Sequence, residues 1–228
     1  MTPAFPRFRA VADHAVLAEF DDFANDAAYA QVIGLDGVLA AVGFAGFIEA
    51  VPALVSLHVE FDPGVTDPVT VAHTLRGLLA QATDVLPAGQ MREVAICYAP
   101  ELAPDLHQVA AQAGLSVEAV IEAHLAGDYR VFMYGFAPGY AYLTGVPQTL
   151  HLPRKPAAVR GVAAGSVIIA GAQCLITTLT MPTGWWILGR SPTAILQDDP
   201  ARPFLFDVGD SVRFRRIDRA AFDAAQGG

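Results

Sequence analysis

An uncharged run of residues, Gly161–Gly189, constrains the possible folds of this chain more strongly than any other sequence feature. The run is long enough to cross a bilayer as a helix, but its glycines and Pro182 would interrupt such a helix. β-Branched residues cluster between these breaks, at positions 167–169 and 176–178. This pattern is typical of short buried strands joined by turns. We therefore expect the run to lie in the core of a β-structure.

The overall composition indicates a soluble globular protein and excludes several other classes. Of the 228 residues, 54% are apolar and only 16% are charged, and the net charge is -9. Disordered chains carry far fewer apolar residues, and nucleic-acid binding requires a basic surface. Two cysteines are too few for a disulfide scaffold. The sequence therefore predicts no nucleic-acid partner.

The sequence also predicts a cytoplasmic protein that does not insert into a membrane. A second apolar stretch, Gly37–Val59, is interrupted by Glu49 and Pro52, and the N-terminal residues lack the apolar region of a signal peptide. In the cytoplasm, Cys97 and Cys174 are predicted to be reduced and buried. A disulfide between these two cysteines is the alternative.

The first 90 residues have the pattern of a small α+β sandwich of ferredoxin-like type. Helices are predicted over Phe23–Val42 and from Pro68 to about Val85, the second capped by Asp67. The predicted strands are Phe8–Asp13, Ala15–Phe20, Phe47–Val51 and Leu54–Phe61. In the last of these, Leu57, Val59 and Phe61 alternate with polar residues, which predicts one buried face.

After about residue 90 the pattern changes, and a second domain is predicted over residues 91–228. A strand at Glu93–Tyr98 and two short helices, over Pro104–Ala113 and from a Ser116 cap to Leu125, begin this part. From Tyr129 to Ile217 only short apolar runs between Gly and Pro remain, which indicates a β-barrel or β-sandwich. The predicted class is therefore α+β, with a domain boundary near residue 90.

Charge is distributed unevenly between the two parts of the chain. Residues 1–130 contain 5 basic and 17 acidic residues, whereas residues 131–228 contain 9 basic and 6 acidic residues. No Asp or Glu lies between Asp128 and Asp198, although Arg154, Lys155 and Arg190 do. A pocket built from this window would attract a small anionic ligand but would lack a carboxylate base of its own. The alternative is a barrel core that simply contains few charges.

Common catalytic and cofactor motifs are absent from the sequence. It contains no phosphate-binding Gly-rich loop, no Gly-x-Ser-x-Gly elbow and no His/Cys spacing typical of zinc. We therefore predict no metal site and no self-sufficient enzyme. One segment, Phe132–Pro147, combines aromatic residues with closely spaced Gly and Pro. Such a segment is typical either of a loop held for a ligand or partner or of a turn-rich part of a barrel that packs aromatic side chains.

Several segments together resemble a known family, namely that of the B subunit of 5-oxoprolinase, allophanate hydrolase subunit 1 and the KipI-like proteins. The segments that carry the resemblance are Gly135–Pro147, Leu152–Arg154, Ala164–Gln173, Gly184–Trp185 and Leu188–Pro192. The resemblance implies an N-terminal ferredoxin-like α/β sandwich followed by a C-terminal cyclophilin-like β-barrel. This agrees with the boundary predicted from the residue pattern.

The resemblance also implies a function that depends on partners. It implies the B subunit of a 5-oxoprolinase-type complex, which opens the lactam of 5-oxoproline to glutamate with ATP. The implied partners are a paralogous barrel subunit (the C subunit, KipA-like) and a third, lactam hydrolase-like subunit. Two alternatives stay open: a KipI-like inhibitor that binds a histidine kinase without catalysis, and a urea carboxylase or allophanate-type carboxyltransferase subunit.

The resemblance finally implies candidate site residues for a small anionic or amide substrate. Arg154, Gln173 and Arg190 are the candidate catalytic residues, since arginine forms a planar fork for a carboxylate and glutamine can orient an amide. The candidate substrate-binding residues are Pro138, Gly139, Tyr140, Ser166 and Trp185. As alternatives, Arg190 would bind loop carbonyls at the barrel rim and Gln173 would close the ends of strands.

Two acidic residues outside the carboxylate-free window are further candidates. Glu101 and Asp105 would supply the missing acid or base only if the fold brought them back to the barrel pocket. For Asp105 the favoured interpretation is a cap on the helix that follows Pro104.

Overall fold

The computed structural model describes residues 5–83 and 89–226. Packing divides the chain into two units, Met1–Pro87 and Ala88–Gly228. Each unit has its own cluster of buried apolar side chains. The assignment of residues 1–90 and 91–228 to a ferredoxin-like and a cyclophilin-like domain stays a prediction.

The first unit is a four-stranded antiparallel sheet with two helices. Its elements are β1 Arg7–Val11, β2 Ala15–Glu19, α1 Asp26–Val42, β3 Phe47–Pro52, β4 Ser56–Phe61 and α2 Pro68–Leu79. The strands lie in the order β1-β2-β4-β3. The predicted alternation in β4 is confirmed, because Leu57, Val59 and Phe61 are fully buried. These side chains pack with residues of α1 and α2 in one core.

Capping residues determine where the two helices begin. Asp67 accepts hydrogen bonds from the backbone N–H groups of Val69 and Thr70, which confirms the predicted start of α2. This helix ends at Leu79, before its predicted end; Val85 lies outside the described residues. Helix α1 begins later than predicted because the side chain of Asn25 accepts a hydrogen bond from Ala28 N–H at 2.8 Å.

The second unit contains a closed seven-stranded β-barrel. Its elements are β5 Met91–Cys97, α3 Leu106–Ala113, α4 Val117–Leu125, β6 Tyr129–Tyr134, β7 Ala141–Thr144, β8 Val159–Val162, β9 Ser166–Ala170, β10 Gln173–Ile176, β11 Met181–Thr183, β12 Trp186–Arg190, β13 Ser211–Ile217 and α5 Arg219–Gln226. The barrel order is β10-β7-β6-β13-β5-β12-β9, and β11 pairs separately with β8. The uncharged run therefore forms strands, as the sequence predicts.

The barrel is closed by two strands that are distant in sequence. Strand β13 pairs in parallel with β5 along its whole length, from Ser211 opposite Met91 to Ile217 opposite Cys97. Asp210, at the start of this pairing, accepts hydrogen bonds from Gln90 N–H at 2.6 Å, Arg92 Nε at 2.7 Å and Asp207 N–H at 3.0 Å. Burial of the Asp210 carboxyl opposes its ionisation, but these donors hold its pKa below the ordinary value. Asp210 thus fixes the register of the closing strands.

A polar cluster around His124 lies inside the barrel core. Nδ1 of the fully buried His124 is 2.7 Å from the hydroxyl of Tyr98, and its Nε2 is 3.9 Å from Sγ of Cys174. Burial lowers the pKa of His124 to about 3, so the ring is neutral at physiological pH. Cys97 and Cys174 are both buried and free. The prediction of reduced cysteines is confirmed, and the alternative disulfide is wrong.

Two further findings concern helices. Helix α5, Arg219–Gln226, was not predicted from the sequence, although its single buried residue, Phe222, and its otherwise exposed side chains give it a strong amphipathic pattern. Within residues 5–83 and 89–226, no helix combines the length and apolar character needed to cross a membrane.

Candidate functional site

A cavity of about 160 Å³ opens on the surface of the barrel unit. Four aromatic side chains line it: Phe136, Tyr140, Tyr142 and Trp185. Ile168 of β9, Leu175 of β10 and the three residues of β11 complete its walls. Tyr140 and Tyr142 reach the same cavity because alternate residues of an extended chain point to the same face. The cavity therefore combines apolar walls with a few polar groups, as is usual for small-molecule sites.

Arg154 and Tyr142 supply the polar groups of this cavity that are open to a ligand. Arg154 is exposed and has no salt bridge within the described part of the chain. Its Cζ lies 5.6 Å from the ring centroid of Trp185. Burial raises the pKa of the Tyr142 hydroxyl, and the positive charge of Arg154 only partly opposes this shift. At neutral pH the pair therefore offers a guanidinium and a neutral hydroxyl donor.

The remaining polar groups of the cavity bind other protein groups. The Tyr140 hydroxyl donates a hydrogen bond to Sδ of Met181. Thr183 Oγ1 accepts a hydrogen bond from Trp185 N–H at 3.1 Å, and Thr177 Oγ1 donates to the carbonyl of Ala163 at 2.9 Å. These contacts hold the walls of the cavity in place.

Asp105 fixes the segment that carries Arg154. Its Oδ2 is 2.6 Å from Nζ of Lys155 and also accepts a hydrogen bond from Ile187 N–H at 2.7 Å. Lys155 N–H donates to the carbonyl of Gly184 at 2.7 Å. Asp105 does occupy the N-cap position of α3, as predicted, but its side chain makes no capping hydrogen bond. The carboxylate instead balances the largely buried Lys155, next to Arg154.

Arg190 lies in a different cavity, of about 290 Å³. Its Nε donates a hydrogen bond to the carbonyl of Ala164 at 3.0 Å, and its Cζ lies 6.0 Å from the ring centroid of Phe222. The hydrogen bond to a loop carbonyl is the interaction expected of a structural arginine. The catalytic role of Arg190 stays a prediction.

The other predicted residues do not line the aromatic cavity. Pro138 accepts a hydrogen bond at its carbonyl from Thr178 Oγ1 at 2.7 Å. Gly139 has a φ of +73°, and a Cβ there would approach Leu196 Cδ2 to 2.7 Å, so the position requires glycine. Ser166 is buried and donates to the carbonyl of Ala163 at 2.8 Å.

Gln173 pairs with Ala170 at a tight turn. Of the eight predicted residues, the cavity thus brings together Tyr140, Arg154 and Trp185.

In the part of the chain that the structure describes, acidic side chains do not line the aromatic cavity. Glu101 forms a salt bridge with Arg219 and does not line the aromatic cavity. Within the described residues, no group of three or more His, Cys, Asp or Glu side chains is arranged to hold a metal ion. The prediction that the chain has no metal site stays a prediction.

Comparison with known proteins identifies the family. The family described as "Carboxyltransferase domain, subdomain C and D" matches residues 6–206. The chain is also 34% identical over 223 residues to the B subunit of 5-oxoprolinase from Bacillus subtilis (strain 168), covering 93% of both chains. This chain belongs to the 5-oxoprolinase B-subunit family. A second member, from Escherichia coli O157:H7, is 34% identical over 169 residues, which is 73% of this chain and 77% of that protein.

Solved structures extend the comparison. The crystal structure of TTHA0988 superposes with a TM-score of 0.75 at 33% identity, over 90% of this chain but only 40% of that chain. The chain thus spans less than half of that larger relative. The Kluyveromyces lactis urea amidolyase superposes with a TM-score of 0.79 at 15% identity, over 95% of this chain and 15% of that chain, which shows a shared fold.

Three residues that line or support the cavity in this member of the 5-oxoprolinase B-subunit family were not predicted as site residues: Phe136, Tyr142 and Lys155. Tyr142 and Phe136 belong to the segment singled out as rich in aromatic residues, and the i, i+2 spacing of Tyr140 and Tyr142 predicts a shared face. Lys155 gave no signal, because its partner Asp105 lies 50 residues away in sequence.

Proposed function

We propose that this chain is the B subunit of a 5-oxoprolinase-type complex and that its barrel cavity binds the small carboxylic acid substrate. The observation that carries this proposal is the combination of an unpaired arginine with aromatic and aliphatic walls in one small cavity. Membership of the 5-oxoprolinase B-subunit family supports it. A cyclic amide acid such as 5-oxoproline has both an anionic group and an apolar ring face.

The proposed binding mode follows from the chemistry of the lining residues. The guanidinium of Arg154 binds the substrate carboxylate through its planar pair of donors. The rings of Trp185 and the side chains of Ile168 and Leu175 contact the methylene groups of the lactam ring. The neutral Tyr142 hydroxyl donates a hydrogen bond to a carbonyl oxygen. Pro138, Gly139 and Ser166 hold the surrounding backbone.

The cavity binds and orients a substrate but does not supply a base. Within the described residues, neither a carboxylate nor an imidazole nor a thiol lines it. Opening an amide requires a general base or an activated nucleophile, so we propose that a partner subunit provides this group. We place any role of Gln173 and Arg190 outside this cavity, since neither residue lines it.

The proposal places ATP on another subunit of the assembled complex. The cavity, at about 160 Å³, is smaller than the roughly 300 Å³ at which drug-sized ligand pockets begin. Arg154 is its single cationic side chain within the described residues, whereas a triphosphate carries several negative charges. The proposed partners are a paralogous barrel subunit and a lactam hydrolase-like subunit.

Reconstitution tests this function. We expect the purified chain to form no glutamate from 5-oxoproline and ATP, and the same chain co-expressed with both proposed partners to do so. The chain alone and the partners without the chain are the matched controls. Turnover by the chain alone would contradict the subunit proposal, and a stable complex that leaves 5-oxoproline intact would contradict the substrate.

A carboxyltransferase role is the second candidate, favoured by the family description "Carboxyltransferase domain". The same unpaired Arg154 would then bind a carboxylated urea or amide. Formation of product from a carboxylated donor, in a complex inactive on 5-oxoproline, would distinguish it. The KipI-like alternative, inhibition of a histidine kinase, stays a prediction.

For the fold we propose the finer assignment of a ferredoxin-like first unit and a cyclophilin-like barrel. The succession β2-α1-β3-β4-α2 follows the βαββα part of the ferredoxin-like motif. In this proposal β1, paired with β2 at one edge of the sheet, substitutes for the final strand of that motif.

A further inference from the structure

Phe136, at the mouth of the aromatic cavity, has a strained backbone conformation. Its φ is +72°, and the N–H of Ala137 donates a hydrogen bond to the carbonyl of Gly135 at 2.9 Å. Phe136 is therefore the central residue of a γ-turn of the rare, strained form with positive φ. In the described residues, Ala12 and Phe136 are the non-glycine positions with positive φ. A bulky residue there is an outlier that requires an explanation.

The same residue exposes its ring to solvent. Phe136 is 76% exposed, whereas Tyr140, with which it makes a tilted ring contact at 5.6 Å, is 3% exposed. Its ring nevertheless lines the cavity. Both the positive φ and the exposed apolar ring are unfavourable for the free protein, and neither contributes to the core. Strained residues of this kind are concentrated at ligand sites.

We propose that Phe136 is a ligand-contacting, specificity-determining residue whose turn holds its ring ready to cover the apolar face of a small carboxylic acid. Arg154 then binds the carboxylate, and Phe136 and Trp185 contact the apolar part of the same ligand. The proposal rests on the proposed function for the identity of the site, but not for the identity of the substrate. It predicts a preference for acids with a ring over short acids of the same charge.

Direct binding to the full chain tests the proposal. Isothermal titration calorimetry is performed with 5-oxoproline, with cyclopentanecarboxylate, which keeps the ring and the carboxylate but lacks the lactam, and with acetate. We expect Phe136→Ala to weaken both cyclic acids about tenfold, by loss of apolar contact area, and acetate less than twofold. Phe23→Ala is the matched control, because Phe23 is 79% exposed, belongs to the first unit and does not line the cavity. It should leave all three affinities unchanged.

The outcomes separate this proposal from the proposed function. If Phe136→Ala weakens cyclopentanecarboxylate while the complex does not open 5-oxoproline, the role of Phe136 holds and the proposed function fails. If the complex opens 5-oxoproline with unchanged KM in the variant, the role of Phe136 fails and the function holds. Loss of co-purification with the partner subunit at unchanged ligand affinity would make Phe136 an interface residue and overturn the proposal. Absence of binding of both cyclic acids to the wild-type chain and to the complex would also overturn it.

A stability measurement tests the strain separately. Glycine adopts positive φ without steric cost, whereas alanine does not, and both remove the ring. We expect the thermal midpoint of Phe136→Gly to exceed that of Phe136→Ala by about 2–4 °C, although both bind the cyclic acids equally weakly. At Phe23, which lacks a positive φ, the glycine variant should be the less stable of the two. A lower midpoint for Phe136→Gly than for Phe136→Ala would overturn the strained turn.

Discussion

Arg154 and Arg190 are two arginines of the same carboxylate-free window, but the barrel unit gives them different surroundings. Arg154 lies exposed over Trp185, and its segment is held by the Asp105–Lys155 ion pair rather than by its own guanidinium. The guanidinium of Arg190, in contrast, donates to the carbonyl of Ala164 and lies near the ring of Phe222. Arg154 and Arg190 are equivalent candidates in the sequence, but the structure gives their guanidinium groups different contacts.

The difference shows how a binding arginine can be recognised. A guanidinium that is anchored through neighbouring residues keeps its donors for a ligand, whereas one that satisfies loop carbonyls has fewer to offer. On this basis we propose that the Arg154 side of the barrel binds the ligand and that the Arg190 side supports the loops. Substitutions at Asp105, Arg154 and Arg190 test that division.

The largest effect is expected at Asp105. Asp105→Ala leaves the largely buried Lys155 without its partner and removes the acceptor of Ile187 N–H. Loss of one member of a buried ion pair costs about 3 kcal/mol or more. We expect the free energy of unfolding, measured by urea denaturation, to fall by about that amount. The affinity for cyclic acids should fall with it.

Glu93→Ala is the control for this prediction. Glu93 pairs with Arg215 at the surface, where both side chains are more than half exposed. Exposed pairs contribute about 0–1 kcal/mol, so this variant should be nearly as stable as wild type. Equal losses in the two variants would show that the Asp105–Lys155 pair does not anchor the Arg154 segment.

The next effect is expected at Arg154 itself. Arg154→Ala removes the proposed partner of the ligand carboxylate, and hydrogen bonds to charged groups contribute about 1.5–3 kcal/mol. We expect the affinity for 5-oxoproline, measured by calorimetry, to fall about thirtyfold, with little change in thermal midpoint. Arg190→Ala should change this affinity less than threefold and lower the midpoint instead. The reverse pattern would move the ligand site to the cavity that Arg190 lines.

The smallest of these effects is a pH dependence that both sides of the barrel share. The folded-state pKa of His124, about 3, lies below its ordinary value of 6.5, so the unfolded chain takes up a proton that the folded chain does not. The contribution of the neutral His124 ring to stability is therefore present above the unfolded-state pKa of 6.5 and is lost as the pH falls below it. We expect His124 to account for a loss of about 1.4 kcal/mol between about pH 7.5 and 5.5.

His124→Gln should reduce the change in unfolding free energy with pH, measured by urea denaturation. His73→Gln, at an exposed position of α2, should leave that pH dependence as in the wild type. An unchanged pH dependence in His124→Gln would contradict the buried neutral ring. Since the Tyr98–His124–Cys174 cluster lies in the common core, acidification should not distinguish the Arg154 side from the Arg190 side.

Much of the fold could be predicted because its signals are local. Asp67-Pro68 and Ser116 cap helices through side chains that reach only three residues along the chain, and the alternation in β4 is visible in six residues. The helix α5 could have been predicted from its amphipathic pattern but was not. Barrel closure could not be predicted, since the pairing of β5 with β13 depends on contacts between residues that no short pattern links.

Less of the candidate site could be predicted, for the same physical reason. Residue type and the family resemblance indicated Arg154, Tyr140 and Trp185, which share the aromatic cavity. They could not separate Arg190 from Arg154, because the separation depends on the hydrogen bond to Ala164 across 26 residues. Likewise, Asp105 has the position of a helix cap in sequence, and only the fold brings it Lys155 as a stronger, charged partner.

The parallel pairing of β5 with β13 also determines when the barrel unit can form. During synthesis, Met91–Cys97 leaves the ribosome more than a hundred residues before Ser211–Ile217, so β5 lacks this neighbour for most of translation. Pairing between such distant segments makes folding slow, and unpaired strand edges favour aggregation in the meantime. We therefore expect the edge of β5 that pairs with β13 to stay open to aggregation in a nascent chain until β13 has been synthesised.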